Sequence, residues 1–117
     1  MGKSQWEQVY LFLKEKGFSI FSPGQKIGKC TEPYIVLKYD GAVQHMTYST
    51  DDDIYTILCY VPKLKYSLLD GLIQSVRKAM KEFYPQLIII GNVSGSVYEE
   101  EIEAHVSSIE YRNHKKR

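Results

Sequence analysis

One stretch of the sequence constrains the fold more than any other: the eight residues Ile54-Tyr-Thr-Ile-Leu-Cys-Tyr-Val61, which follow three consecutive aspartates and end at Pro62. Read with a period of two, one face carries Tyr55, Ile57, Cys59 and Val61, and the other Ile54, Thr56, Leu58 and Tyr60. A strand wet on one side alternates apolar with polar residues, whereas this one is apolar on both. It therefore belongs in the middle of a sheet. One helical layer can cover one face, and something else must cover the other.

The flanking segments supply that layer. Ser4 and Glu7 have the spacing of a helix-capping box, and Trp6, Val9, Tyr10 and Leu13 follow at helical intervals. A helix over residues 5–16 results, closed by Gly17. Residues 18–31, with Pro23, Gly24 and Gly28, read as a loop holding one short extended piece. The run YIVLKY at 34–39, the Asp40-Gly41 pair and the alternation over 43–48 read as a β-hairpin with a tight turn. After Pro62, Ser67 stands at a capping position, and Leu69, Leu72, Ile73, Val76, Met80 and Phe83 make a stripe over 68–83, stopped by Pro85. The polar side of this helix carries Gln74, Arg77, Lys78 and Lys81. Leu87 to Ile90 is a short apolar strand, GNVSGS is turn-like, and residues 104–111 alternate as a last strand. The order predicts an α+β fold: a mainly antiparallel sheet with two helices on one face, in a single domain of 117 residues.

Charge narrows the partners. Fifteen Lys plus Arg against fourteen Asp plus Glu leave a net charge of +1, so no global field attracts nucleic acid or an anionic membrane. The longest apolar run is far below the ~20 residues that span a bilayer, and the start MGKSQWEQ is polar rather than signal-like. Cys30 and Cys59 lie outside any metal or redox motif and read as buried thiols in a reducing compartment. Ten tyrosines suit cross-strand aromatic pairs or an interface, because a tyrosine buries its ring and keeps its hydroxyl wet.

Catalytic patterns fall short. Gly24-Gln-Lys-Ile-Gly-Lys-Cys30 is one residue shorter than a phosphate loop, and Cys30 replaces the hydroxyl that would hold magnesium. His45, His105 and His114 are isolated from one another and from other ligands, so no metal or other cofactor is expected. Asp51, Asp52 and Asp53 lack the ligand spacing of a calcium loop and read as a solvated acidic turn before the strand. Ser94-Gly95-Ser96 is not a nucleophile elbow, and Glu99, Glu100, Glu101 and Glu103 crowd into an acidic turn or strand edge. The basic ending His114-Lys-Lys-Arg117 reads as a solvated tail. No nucleophile stands beside a base, and the expectation is a non-enzymatic assembly subunit.

At residues 32–41 (EPYIVLKYDG), 53–83 (DIYTILCYVPKLKYSLLDGLIQSVRKAMKEF) and 104–116 (AHVSSIEYRNHKK) the chain resembles the small tail terminator proteins of tailed bacteriophages and phage-tail-like particles, often called minor capsid or head-tail joining proteins. The resemblance implies a virion protein, made in the host cytoplasm, whose hexameric ring caps the tail tube, ends its polymerisation and presents a surface to the neck or head. The implied partners are further copies of the chain, the tube protein, a neck or head-completion protein and, in a contractile tail, the sheath; DNA would pass through the lumen without specific recognition. A closed ring needs a heterologous contact, one patch on each subunit meeting a different patch on the next. The expected residues for that contact are Tyr39, Tyr48, Tyr55 and Tyr60; for the tube-facing or neck-facing surfaces they are Lys26, Lys29, Asp51, Asp52 and Asp53. The competing readings are a head-completion or connector protein, a small α+β enzyme with a pocket between sheet and helices, and a monomeric binding module.

Overall fold

The structure, a computed structural model, describes residues 4–44, 50–84, 87–90 and 93–116. The fold is α+β: a six-stranded, mostly antiparallel sheet with two helices. Its strands are β1 (Ile20–Phe21), β2 (Tyr34–Gln44), β3 (Thr50–Pro62), β4 (Ile88–Ile90), β5 (Val97–Glu99) and β6 (Ala104–Lys116). The order is β1-β2-β3-β6-β4, with β5 also on β6, and only the β1–β2 pair is parallel. β3 lies in the centre, as its two apolar faces require, paired along its whole length with β6 and over most of it with β2. Thirteen residues at about 3.3 Å each span about 43 Å, close to the 47 Å long axis of the molecule.

Both helices pack on one face. α1 (Gln5–Glu15) begins at Ser4, whose hydroxyl accepts the Glu7 amide at 3.2 Å, and ends before Gly17 with its φ of 98°. Val9 and Leu13 go into the core, and the Trp6 indole donates to the Leu37 carbonyl at 2.9 Å, fixing α1 to β2. α2 (Leu68–Met80) buries Leu69, Ile73, Val76, Ala79 and Met80. Leu72 and Phe83 of the expected stripe are only partly buried, and Phe83 belongs to a separate 3-10 turn, Lys81–Phe83. Beneath the helices lie Ile35, Leu37, Tyr55, Ile57, Cys59, Val61, Ile109 and Tyr111 in one continuous core.

On the opposite face a second apolar cluster forms at one end. There the loop after β1 lays Cys30 over Tyr34, Val36, Ala104 and Val106, with Phe21, Leu58, Tyr60 and Ile102 at the margin. The Cys30 amide donates to the Ile102 carbonyl at 2.7 Å and holds the loop down. Further along β3, Thr56 and Ile54 on this face are buried as well; Thr56 donates to the Asp40 carboxylate, and Lys38 pairs with Asp40 at 3.2 Å.

Four expectations are corrected. Asp40-Gly41 is not a hairpin turn: β2 runs through it as one strand with a β-bulge between Tyr39 and Gly41, and the chain reverses beyond Gln44. A bulge and a primed turn both ask for a residue at positive φ, here Gly41 at 100°, so the dipeptide signals either. Asp51, Asp52 and Asp53 are not a turn but the first part of β3, opposite residues 42–44 of β2 and 113–115 of β6. The basic segment from His114 is likewise strand: in the backbone register His114 stands opposite Asp52 and Lys115 opposite Asp51. Ser67 does not cap α2, because a 3-10 turn at Lys63–Lys65 leads into the helix and holds Ser67 itself in a helical conformation.

Candidate functional site: the open end of the central sheet

The sheet ends differently at its two ends. Near Pro62, β3 is flanked on both sides, and the outer edge of β6 is closed by β5, which pairs with residues 104–106. Ser94 then bridges to β4: its amide donates to the Ser108 carbonyl at 3.0 Å and its hydroxyl accepts the Ser108 amide at 2.8 Å. The Ser107 hydroxyl returns a 2.6 Å bond to the Ser94 carbonyl. β4 takes over at residues 110–112. At the far end this protection stops. Among the described residues, no strand pairs with residues 113–116 of β6 on the side away from β3, and none with residues 41–44 of β2 on its outer side. The result is a three-stranded ribbon, 41–44, 50–53 and 113–116, with a strand edge on each flank.

Such edges are templates for another strand, and natural monomers usually shorten, bend or cover them. Here the two lie on opposite flanks of one sheet and belong to different strands. They can meet head to tail, β2 of one copy against β6 of the next, which is the geometry of a heterologous contact.

The sequence-predicted contact residues do not form one patch. Tyr39 and Tyr55 are neighbours on the helix side, with ring centroids 5.4 Å apart; Tyr39 is half exposed, while Tyr55 is buried under the helices. Tyr60 is on the opposite face, stacked on Tyr34 at 4.7 Å. Tyr48 lies outside the described residues. Lys26 and Lys29 sit on the loop that covers the second face, at the end of the sheet away from the ribbon. The Lys26 ammonium lies 5.8 Å from the Tyr34 ring centroid, and Lys29 pairs with Glu103 at 3.0 Å, which lowers the Glu103 pKa. Asp53 is buried and accepts the Tyr39 hydroxyl at 2.9 Å, while Asp51 and Asp52 belong to the ribbon. The lysines and the aspartates are therefore at opposite ends of the subunit.

The chemistry of individual groups is quiet. Burial pushes the Cys59 thiol up to about 12 and raises Cys30 as well, so neither is an activated thiolate. No three His, Cys, Asp or Glu side chains converge on a metal position among the described residues. His105 packs between Tyr66 and Tyr98, with centroids at 4.7 and 5.1 Å, and its Nε2 lies 3.1 Å from the Lys63 carbonyl. What sequence reasoning missed is the pair of strand edges. Edge status depends on which strands fail to arrive, and no local pattern in residues 41–44 or 113–116 carries it. No protein-family model matches the chain, and no curated protein matches it.

Proposed function

We propose that the protein is a tail terminator subunit, forming a ring of copies on the end of a phage or phage-like tail tube and offering the ring's other side to the neck. The observation that carries this reading is the ribbon with two opposite open edges. Joined edge to edge, successive copies extend one sheet around a ring and cover both edges of the ribbon, which is how closure removes the hazard of an edge. The resemblance over residues 32–41, 53–83 and 104–116 supports the same role.

The test is native mass spectrometry with negative-stain imaging of the purified protein, alone and mixed with short tail tubes. Six-fold rings capping tube ends are expected, and deletion of residues 114–117 should abolish them while the thermal transition stays cooperative. A protein that leaves the tube ends bare at every concentration refutes the role. Binding to portal-side proteins instead would assign it to the connector class.

A further inference from the structure

A second feature, on the helix layer and independent of the ribbon, has the chemistry of a recognition site. Between the end of α2 and the β4 edge lies a groove of about 240 Å³. Its floor is apolar: Met80, Leu87 and Ile89. Its rim carries two large apolar side chains turned to solvent, Tyr84 at 70% exposure and Ile88 at 42%. At its mouth stand Arg77 and Lys81, four residues apart and so on one side of the helix. Neither has a carboxylate within ion-pair distance among the described residues, although Lys16, Lys29 and Lys38 all do. The fourth component is Tyr111, which lines the groove while only 4% exposed and whose hydroxyl makes no hydrogen bond among the described residues. A guanidinium, an ammonium and the hydroxyl of a tyrosine whose ring is buried therefore border one apolar trough, all three hydrogen-bond donors.

That combination selects a ligand class. A carboxylate accepts from all three donors, and the trough takes an apolar group beside it. The volume is below the roughly 300–1,000 Å³ of small-molecule sites, so it fits one or two side chains rather than a cofactor. β4, three residues long, pairs with β6 on one side and with no strand among the described residues on the other. An extended segment could add there, with its backbone on β4 and alternate side chains in the trough.

We propose that this groove docks an extended segment of a partner protein in which apolar side chains alternate with glutamate or aspartate, one carboxylate lying between Arg77, Lys81 and the Tyr111 hydroxyl. The proposal does not depend on ring formation, because every residue named in it belongs to one copy.

Fluorescence polarisation on the full chain tests it, using a labelled peptide of alternating leucine and glutamate, its glutamine-for-glutamate counterpart and its serine-for-leucine counterpart. Binding of the first is expected, with each counterpart weaker by about tenfold or more, as loss of a buried anchor or of a charge-assisted contact entails. The double variant Arg77→Gln/Lys81→Gln, at a half-buried and an exposed position near the end of α2, should keep its cooperative melt and lose the preference for glutamate over glutamine; Tyr111→Phe should weaken binding of the acidic peptide alone. Failure of the acidic peptide to bind at about 1 mM, or equal binding by the double variant, overturns the proposal. Displacement of the peptide by decanoate at equal concentration overturns it in favour of a small amphiphilic carboxylate.

Discussion

The Tyr39 hydroxyl reaches past the bulge of its own strand to donate a 2.9 Å hydrogen bond to the buried carboxylate of Asp53. In the ladder Tyr39 faces Tyr55, and Asp53 faces Ala42, so the bond crosses the interruption in register. It ties the ribbon to the part of the sheet that the helices cover.

A hydrogen bond to a charged group contributes about 1.5–3 kcal/mol. Because Tyr39 is 49% exposed, Tyr39→Phe should cost near the lower end, about 1.5 kcal/mol. Urea denaturation should show a lower midpoint with an unchanged slope. An unmoved midpoint would mean that water replaces the hydroxyl without loss.

Gly41 has a φ of 100°, and an added Cβ would meet nothing within 4 Å. Gly41→Ala should therefore destabilise through backbone strain alone, by about 1–2 kcal/mol. If the bulge relaxes instead, the variant will match the wild type in the same denaturation experiment.

Ile57 is fully buried at the centre of β3, and Ile57→Ala should cost about 3–4 kcal/mol, the range for a core cavity that cannot collapse. Leu72, only partly buried, should lose clearly less on truncation to alanine. Equal losses at the two positions would contradict the packing described for α2.

Cys59 is buried in the helix-side core, with its thiol pushed up to about 12. Iodoacetamide near neutral pH should leave it untouched in the folded protein and label it on denaturation, so labelling at Cys59 reports opening of the core. Rapid labelling of the native protein at this residue would refute its burial.

Tyr34, Tyr55 and Tyr111 are each pushed from 10 up to about 12, chiefly by burial. Below pH 10 they are neutral in both folded and unfolded chains and contribute no pH dependence. Between pH 10 and 12 the unfolded chain releases protons that the folded one retains, so stability falls as pH rises through this window. Phenolate absorbance should show a fraction of the tyrosines titrating late, together with loss of near-ultraviolet circular dichroism. Tyrosines that all titrate near 10 with the fold intact would contradict their burial.

Helices and the central strand were legible because each depends on a short-range pattern. Ser4 and Glu7 announce the start of α1, the stripe from Leu69 to Met80 announces α2, and the two apolar faces of residues 54–61 place β3 inside the sheet. What could not be read depends on pairing across the chain. Asp51–Asp53 looks like a turn in isolation and becomes strand because β2 and β6 bracket it. β5 is three exposed residues without alternation, held by its ladder to residues 104–106 and by Tyr98 against the His105 ring. The groove beside α2 draws Arg77 and Lys81 from the helix end, Ile88 from β4 and Tyr111 from β6, segments that no motif connects. The charged side of α2 was visible as a run of Arg77, Lys78 and Lys81, but nothing marked which of its cations bordered an apolar trough.

The placement of β6 also sets a schedule for biogenesis. β3 is complete at Pro62, yet its longest partner begins at Ala104 and ends at Lys116. While the intervening residues are being synthesised, β3 has β2 on one side and bare backbone on the other, at its most apolar stretch. Pairing so distant in sequence is slow to form, and the nascent chain must pass through a state with an exposed, sticky strand. A message truncated before residue 104 should therefore yield an aggregating fragment rather than a smaller folded protein.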